Sequence, residues 1–145
     1  MSKLVVAAKR QVQLAAVEPA PNSPYYAEKD GLRFAGMHLL FDMWGAKHLD
    51  DIKEIESIMT EAVAATGATL LRMDLHSFDN AGGVTGVAIL AESHMSIHTW
   101  PETGYAAIDI FVCGSCDPYK AVPVLRRRFQ PTAVQLSEHK RGVAL

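Results

Sequence analysis

This sequence predicts an α+β fold, a two-layer sandwich with an antiparallel sheet and helices on one face, and three features carry that expectation. Several segments of strand length, alternating or continuously apolar, follow one another with only short Asn, Gly and Pro punctuation between them. Two segments carry apolar residues at helical spacing. Their order is strand, helix, several hairpin-linked strands, helix, strand, which favours an antiparallel sheet covered by helices on one face.

Residues 1–33 stand apart. They are Ala/Val/Gln-rich and then broken by Pro19, Pro21, Asn22, Ser23 and Pro24. Prolines fix φ and remove donors, so this segment reads as an N-terminal arm or oligomer contact of unassigned role, with the folded domain over 34–145. Met37–Met43 is a short apolar run. Ile52, Ile55, Met59 and Val63 predict a helix over about Leu49–Thr66, capped by Asp50 or Asp51 and ended by Gly67. Thr69–Leu75 alternates as a strand and Val84–Leu90 is a nearly continuous apolar one. Asn80, Ala81, Gly82 and Gly83 between them imply an antiparallel pair. Met95–Thr99 and Ala106–Val112 read as two further strands joined by a turn containing Pro101 and Gly104. Asp117-Pro118 opens a second helix running toward Phe129, in which Pro123 calls for a kink or a later start. Thr132–Leu136 supplies the last strand.

At 145 residues and 49% hydrophobic, the chain can bury one real core without disulfide or metal staples. A net charge of -2 gives no general attraction to nucleic acid or anionic membrane, which leaves a small molecule as the expected partner. Arg126, Arg127 and Arg128 read as a solvated face complementing a helix dipole. The apolar stretch Leu4–Ala8 is too short for a signal-peptide core and no run approaches membrane-span length, so a cytoplasmic location is expected. Cys113 and Cys116 then sit in a reducing compartment, where thiol chemistry or metal binding outranks a structural disulfide.

Chemistry concentrates in Glu92-Ser93-His94-Met95-Ser96-Ile97-His98-Thr99-Trp100-Pro101-Glu102, with two residues each of His, Ser and Glu. Strand period places His94, Ser96 and His98 on one face and Met95, Ile97 and Thr99 on the other. Three readings compete on composition. The first is a half-exposed strand with satisfied histidines. A non-enzymatic zinc-binding module could use His94, His98, Cys113 and Cys116 as nitrogen and sulfur ligands. Covalent catalysis by Ser93 or Cys113 with a histidine base is the third.

That same run, followed by Gly104-Tyr-Ala-Ala-Ile-Asp-Ile-Phe-Val-Cys-Gly114, resembles the signature of the short prokaryotic S-adenosylmethionine decarboxylase proenzymes. Gly36-Met-His-Leu, His76-Ser-Phe78, Gly83-Val-Thr-Gly-Val87, Asp117-Pro118 and Glu138-His-Lys-Arg-Gly142 match in order, so the resemblance covers about residues 34–142. It implies a decarboxylase serving spermidine and polyamine biosynthesis, which makes its own pyruvoyl cofactor and needs no metal. A carbanion left by departing carbon dioxide needs an electron sink that no ordinary side chain supplies. By this resemblance the Ser93 hydroxyl attacks the carbonyl carbon of Glu92, and elimination releases 1–92 and leaves dehydroalanine, which hydrolyses to the pyruvoyl group heading 93–145. His98 matches the histidine that removes the Cα proton during processing. Thr85 stands where many relatives have serine and would assist that step. Cys113 matches the cysteine that returns a proton to Cα after decarboxylation. Phe78 matches an aromatic that stacks on adenine, and Glu102 a carboxylate accepting from ribose hydroxyls. The resemblance also implies a homodimer of cleaved protomers. The same pyruvoyl chemistry acting on ornithine or arginine is the alternative.

Overall fold

The computed structural model describes residues 26–80 and 82–143; the Pro-rich part of the arm, with Ala81, lies outside them. Six strands form one sheet: β3 (Gly36–Trp44), β4 (Leu70–Ser77), β5 (Val84–Leu90), β6 (Ser93–Trp100), β7 (Tyr105–Cys113) and β8 (Ala133–Arg141). Their spatial order is β4-β5-β6-β7-β3-β8, and every neighbouring pair is antiparallel. A separate hairpin of β1 (Ala27–Lys29) and β2 (Leu32–Phe34) precedes it. The helices are α1 (Ile52–Thr66) and α2 (Ala121–Phe129).

Strand parity sorts the sheet into two faces. Met37, Leu39, Phe41 and Met43 of β3 lie opposite Val112, Ile110, Ile108 and Ala106 of β7, and all eight are buried. Met95, Ile97 and Thr99 of β6 continue that layer. Ile55, Ile58, Met59, Ala62 and Val63 of α1 and Val124, Leu125 and Phe129 of α2 close over most of it in one core, with Met37 and Leu39 in a smaller cluster of their own. Each fully buried large apolar side chain contributes about 1.5–3 kcal/mol. No helix among the described residues covers the opposite face, and none is long and apolar enough to cross a membrane.

The helix ends follow the cap chemistry of the sequence. The Asp51 carboxylate accepts from the N–H groups of Lys53 (3.1 Å) and Glu54 (3.0 Å), and Gly67 ends α1 at φ 84°. After Asp117 the chain makes a 3₁₀ turn over Pro118–Lys120, and α2 starts only at Ala121. That later start leaves Pro123 in the first turn, where its missing N–H costs no intrahelical bond. The arginine run does more than face solvent: Arg127 and Arg128 pair with Glu61 of α1, and Arg128 also reaches Glu54 at 2.9 Å.

Two elements extend beyond the sequence expectation. Asp30 (φ 54°) and Gly31 (φ 75°) turn the β1–β2 hairpin, which seats Phe34 in a small cluster with Met37 and Leu39, flanked by Ala27, Tyr119 and Val122. The last residues of the segment 1–33 thus pack on the domain. β8 runs on to Arg141, five residues past the expected end, because Glu138, His139, Lys140 and Arg141 continue the ladder with β3. As an edge strand it tolerates that polar sequence.

Thr99 ties three elements at the buried layer. Its hydroxyl donates to the Leu49 carbonyl (2.6 Å) and accepts from the Val84 N–H (2.8 Å). Thr99→Val keeps the shape and strands both backbone groups, so stability should fall by about 1–3 kcal/mol. The urea midpoint should drop at unchanged slope; an unaltered midpoint would show that water replaces both bonds.

Candidate active site

The reactive bond predicted from sequence lies at the tip of the β5–β6 hairpin. Leu90 pairs with Ser93, leaving Ala91 and Glu92 to reverse the chain, and the Ala91 N–H is held by the Thr69 carbonyl at 2.9 Å. Glu92 sits at φ 69°, a left-handed conformation that costs a side-chain-bearing residue about 1–2 kcal/mol. Beside it ends β7. The Cys113 thiol donates to the Glu92 carbonyl (3.2 Å), and the Cys113 N–H donates to the Ser93 hydroxyl (3.2 Å). A nucleophilic oxygen, a strained carbonyl and a weak donor polarising that carbonyl therefore meet at one point. The arrangement suits attack of Ser93 Oγ on the preceding carbonyl carbon.

A second group lies at the other end of the sheet. Thr85 and His98 face each other across β5 and β6, with Thr85 Oγ1 3.1 Å from His98 Nδ1. Phe78, at the end of β4, is half-exposed and meets His76 edge-on at 4.6 Å. Glu102 lies in the turn that leaves β6. Trp44, Tyr105 and Trp100 stack alongside, at 5.6 and 5.1 Å between ring centres. The Tyr105 hydroxyl donates to Asp42 at 2.6 Å, and this bond with burial pushes its pKa up to about 12. His98 stands five residues from Ser93, roughly 17 Å along a strand rising about 3.3 Å per residue. The fold thus brings Glu92, Ser93 and Cys113 together, and Thr85 with His98, but holds the two groups apart within one chain.

Between them is a cluster that sequence reasoning left without a role. Asp109 Oδ2 lies 2.6 Å from His38 Nε2 and 3.3 Å from His94 Nε2, and Ser96 donates to the other carboxylate oxygen. Burial works against the charged carboxylate, but hydrogen bonds from Ser96, His38 and His94 together outweigh it and hold Asp109 below the usual carboxylate range. The strand period gave one half of the signal by placing His94 and Ser96 on one face; the pairing of Ser96 with Asp109 and the β3–β7 register supplied the rest. His38, His94 and Asp109 are also the one His/Cys/Asp/Glu group among the described residues whose ligand atoms lie within 4.8 Å of one another. The four zinc ligands weighed from sequence do not converge: His94 is committed to Asp109, His98 to Thr85, and Cys113 to Glu92.

One antiparallel sheet with one helical layer defines a two-layer α+β fold, with a serine-bearing turn on its rim. The family model described as S-adenosylmethionine decarboxylase matches residues 37–142. The chain belongs to that family. An S-adenosylmethionine decarboxylase proenzyme of Thermomicrobium roseum is 43% identical over 113 residues, covering 77% of this chain and 97% of the relative. The proenzyme of Methanococcus vannielii is 46% identical over 111 residues, 74% of this chain and 90% of its own. The crystal structure of the adenosylmethionine decarboxylase from Aquifex aeolicus VF5 superposes with a TM-score of 0.68 at 33% identity, covering 76% of this chain and 92% of that one.

The Asp109 cluster makes a pH prediction. A carboxyl whose pKa is lowered in the fold adds stability that is complete above its unfolded value, about 4, and disappears as pH falls through the folded value. Asp109→Asn should therefore be less stable at pH 7 and show a flatter acid limb in denaturation from pH 5 to 2. Parallel curves for both proteins would show that the cluster carries no such linkage.

Proposed function

We propose that this chain is the precursor of a pyruvoyl-dependent decarboxylase that cuts itself between Glu92 and Ser93 and then acts on S-adenosylmethionine. The observation that carries the reading is the Glu92–Ser93 turn held by Cys113, in a chain of this family. Ser93 Oγ attacks the Glu92 carbonyl carbon, the C–N bond breaks and an ester forms. A base removes the Ser93 Cα proton while the Cβ–O bond breaks, freeing the new C-terminus of 1–92; hydrolysis with loss of ammonia leaves the ketone on 93–145. When formed, that pyruvoyl group supplies the electron sink for decarboxylation. In turnover Cys113 returns the proton to the substrate carbon.

The base is His98, aligned through its Nδ1 contact with Thr85. At roughly 17 Å it cannot serve Ser93 of its own chain. The sheet face that no described element covers carries Leu40, Trp44, Ile89 and Trp100, each 37–44% exposed, and so offers an apolar surface to a second copy. In a two-fold dimer any contact of one end with the partner's other end occurs twice. We therefore assign the working unit as a homodimer in which the Ser93 and Cys113 end of one protomer meets His98, Thr85, Phe78 and Glu102 of its partner. Phe78 offers a ring for adenine to stack on, and Glu102 a carboxylate for the ribose diol.

Purified parental protein should consist of 1–92 and a blocked 93–145, while Ser93→Ala stays whole by intact mass. Neither Ser93→Ala nor His98→Ala should mature alone. Co-expressed, the His98→Ala chain should be cut by the His98 of its Ser93→Ala partner; failure of cleavage in the mixed dimer would place the base within the same chain. Cys113→Ala should still cleave, more slowly for want of the thiol on the Glu92 carbonyl, but lose about 10²–10⁴-fold in kcat. S-Adenosylmethionine should release carbon dioxide faster than ornithine or arginine, with Phe78→Ala raising KM; preference for either amino acid would reassign the substrate and keep the cofactor.

A further inference from the structure

The turn that follows β7 holds a second thiol that the proposed reaction does not use. Cys113, Gly114, Ser115 and Cys116 form a four-residue reversal in which the Cys116 N–H donates to the Cys113 carbonyl at 3.4 Å, with Gly114 at φ 60°. A β-turn of this kind keeps its first and fourth Cα atoms within about 7 Å, overlapping the roughly 4.4–6.8 Å that a disulfide spans. Both cysteines are free and neither is fully buried. Cys113 donates to the Glu92 carbonyl, while Cys116 rests against the helix-side core and lines a cleft of about 310 Å³ with Gly36, Met37 and Asp117. Ser115 between them is exposed. Bonding the two sulfurs draws Cys116 away from its core contact, which favours the reduced form and keeps the bond easy to break.

We propose that Cys113 and Cys116 form a reversible disulfide that switches decarboxylation off, a step resting on the reading of Cys113 as proton donor. The oxidant is a small-molecule disulfide. One protein thiolate attacks it and expels a thiolate, and the second protein thiolate displaces the other half. The two protein sulfurs lose two electrons, the small disulfide gains them, and the two protein protons end on the released thiols. The product has no S–H at position 113, so the proton that must return to the substrate carbon is missing.

Mature parental enzyme incubated with oxidised glutathione should lose at least 10-fold in carbon dioxide release, while fragment 93–145 becomes lighter by two hydrogen atoms. Dithiothreitol should restore mass and activity together. Cys116→Ser should match the parental rate when reduced and keep that rate under the same oxidant. Fragment 93–145 retaining both thiols in the parental protein would overturn the pair and leave the role of Cys113 intact. Inactivation of Cys116→Ser to the same extent would overturn it too, by showing that Cys113 reacts alone. A formed disulfide with undiminished turnover would overturn the switch and the assignment of Cys113 together.

Discussion

With only Ala91 and Glu92 to reverse the chain, β5 and β6 have one register open to them, and the rest of the molecule is built on it. Leu90 opposite Ser93 sets Ala88 opposite Met95 and Gly86 opposite Ile97, which buries Leu90, Ala88, Met95 and Ile97 under the helices. A slip of one residue would bury His94, Ser96 and His98 under α1 and expose Met95 and Ile97. The turn does not satisfy local preference. Two-residue hairpins favour positive φ at glycine or asparagine, whereas here Glu92 takes it at φ 69°. The strain persists because the Ala91 N–H, the Ser93 hydroxyl and the Glu92 carbonyl are each held by a neighbouring strand or its approach. Folding energy spread over a six-stranded sheet is thereby concentrated on a single peptide bond.

The same topology explains why a cut at that bond need not dismantle the protein. Residues 1–92 supply β3, β4 and β5, and 93–145 supply β6, β7 and β8. In space the order is β4-β5-β6-β7-β3-β8, so the two pieces alternate and meet along three strand boundaries. β6 stays paired to β5 on one side and to β7 on the other. The tip of the hairpin can change chemically while its ladders, and the core beneath, remain.

Legibility in the sequence followed burial. Strands with a buried face announced themselves by alternation or by continuous apolar runs, and Val84–Leu90 was placed to the residue. Helix α1 was read from its spacing, from Gly67 and from a cap at Asp50 or Asp51, of which the fold uses Asp51, so that the helix begins at Ile52 rather than near Leu49. The edge strand β8 was read short, since its last five residues are polar and only the β3 ladder reveals them. The β1–β2 hairpin was missed because three-residue strands carry too little pattern, although Asp30-Gly31 was the available turn signal. At the site, the resemblance named Glu92, Ser93 and Cys113 as a group, and the fold sets them in contact. It named His98 and Thr85 beside them, yet neighbours in sequence along a strand are not neighbours in space. His38 and Asp109 join His94 only through two inter-strand registers, which no linear reading contains.

If His98 is the base, as we propose, that separation also gives a role to the sheet face that no described helix covers. A rigid strand cannot fold its own His98 back by roughly 17 Å to reach Ser93, since bending it would break ladders on both sides. A chain of this size has two ways out: a long loop bringing a base from elsewhere, or a surface that lets a second copy supply it. Among the described residues the loops are short, and the face they leave open carries half-exposed Leu40, Trp44, Ile89 and Trp100 around the Asp109 cluster. Apolar residues at the periphery favour association, whereas a carboxylate between two imidazoles can be covered only if its hydrogen bonds are already made. Ser96, His38 and His94 make them within one protomer. Made within one protomer, those hydrogen bonds would let a second copy cover this face, apolar at its margins and polar at its centre, without leaving the carboxylate oxygens unpartnered.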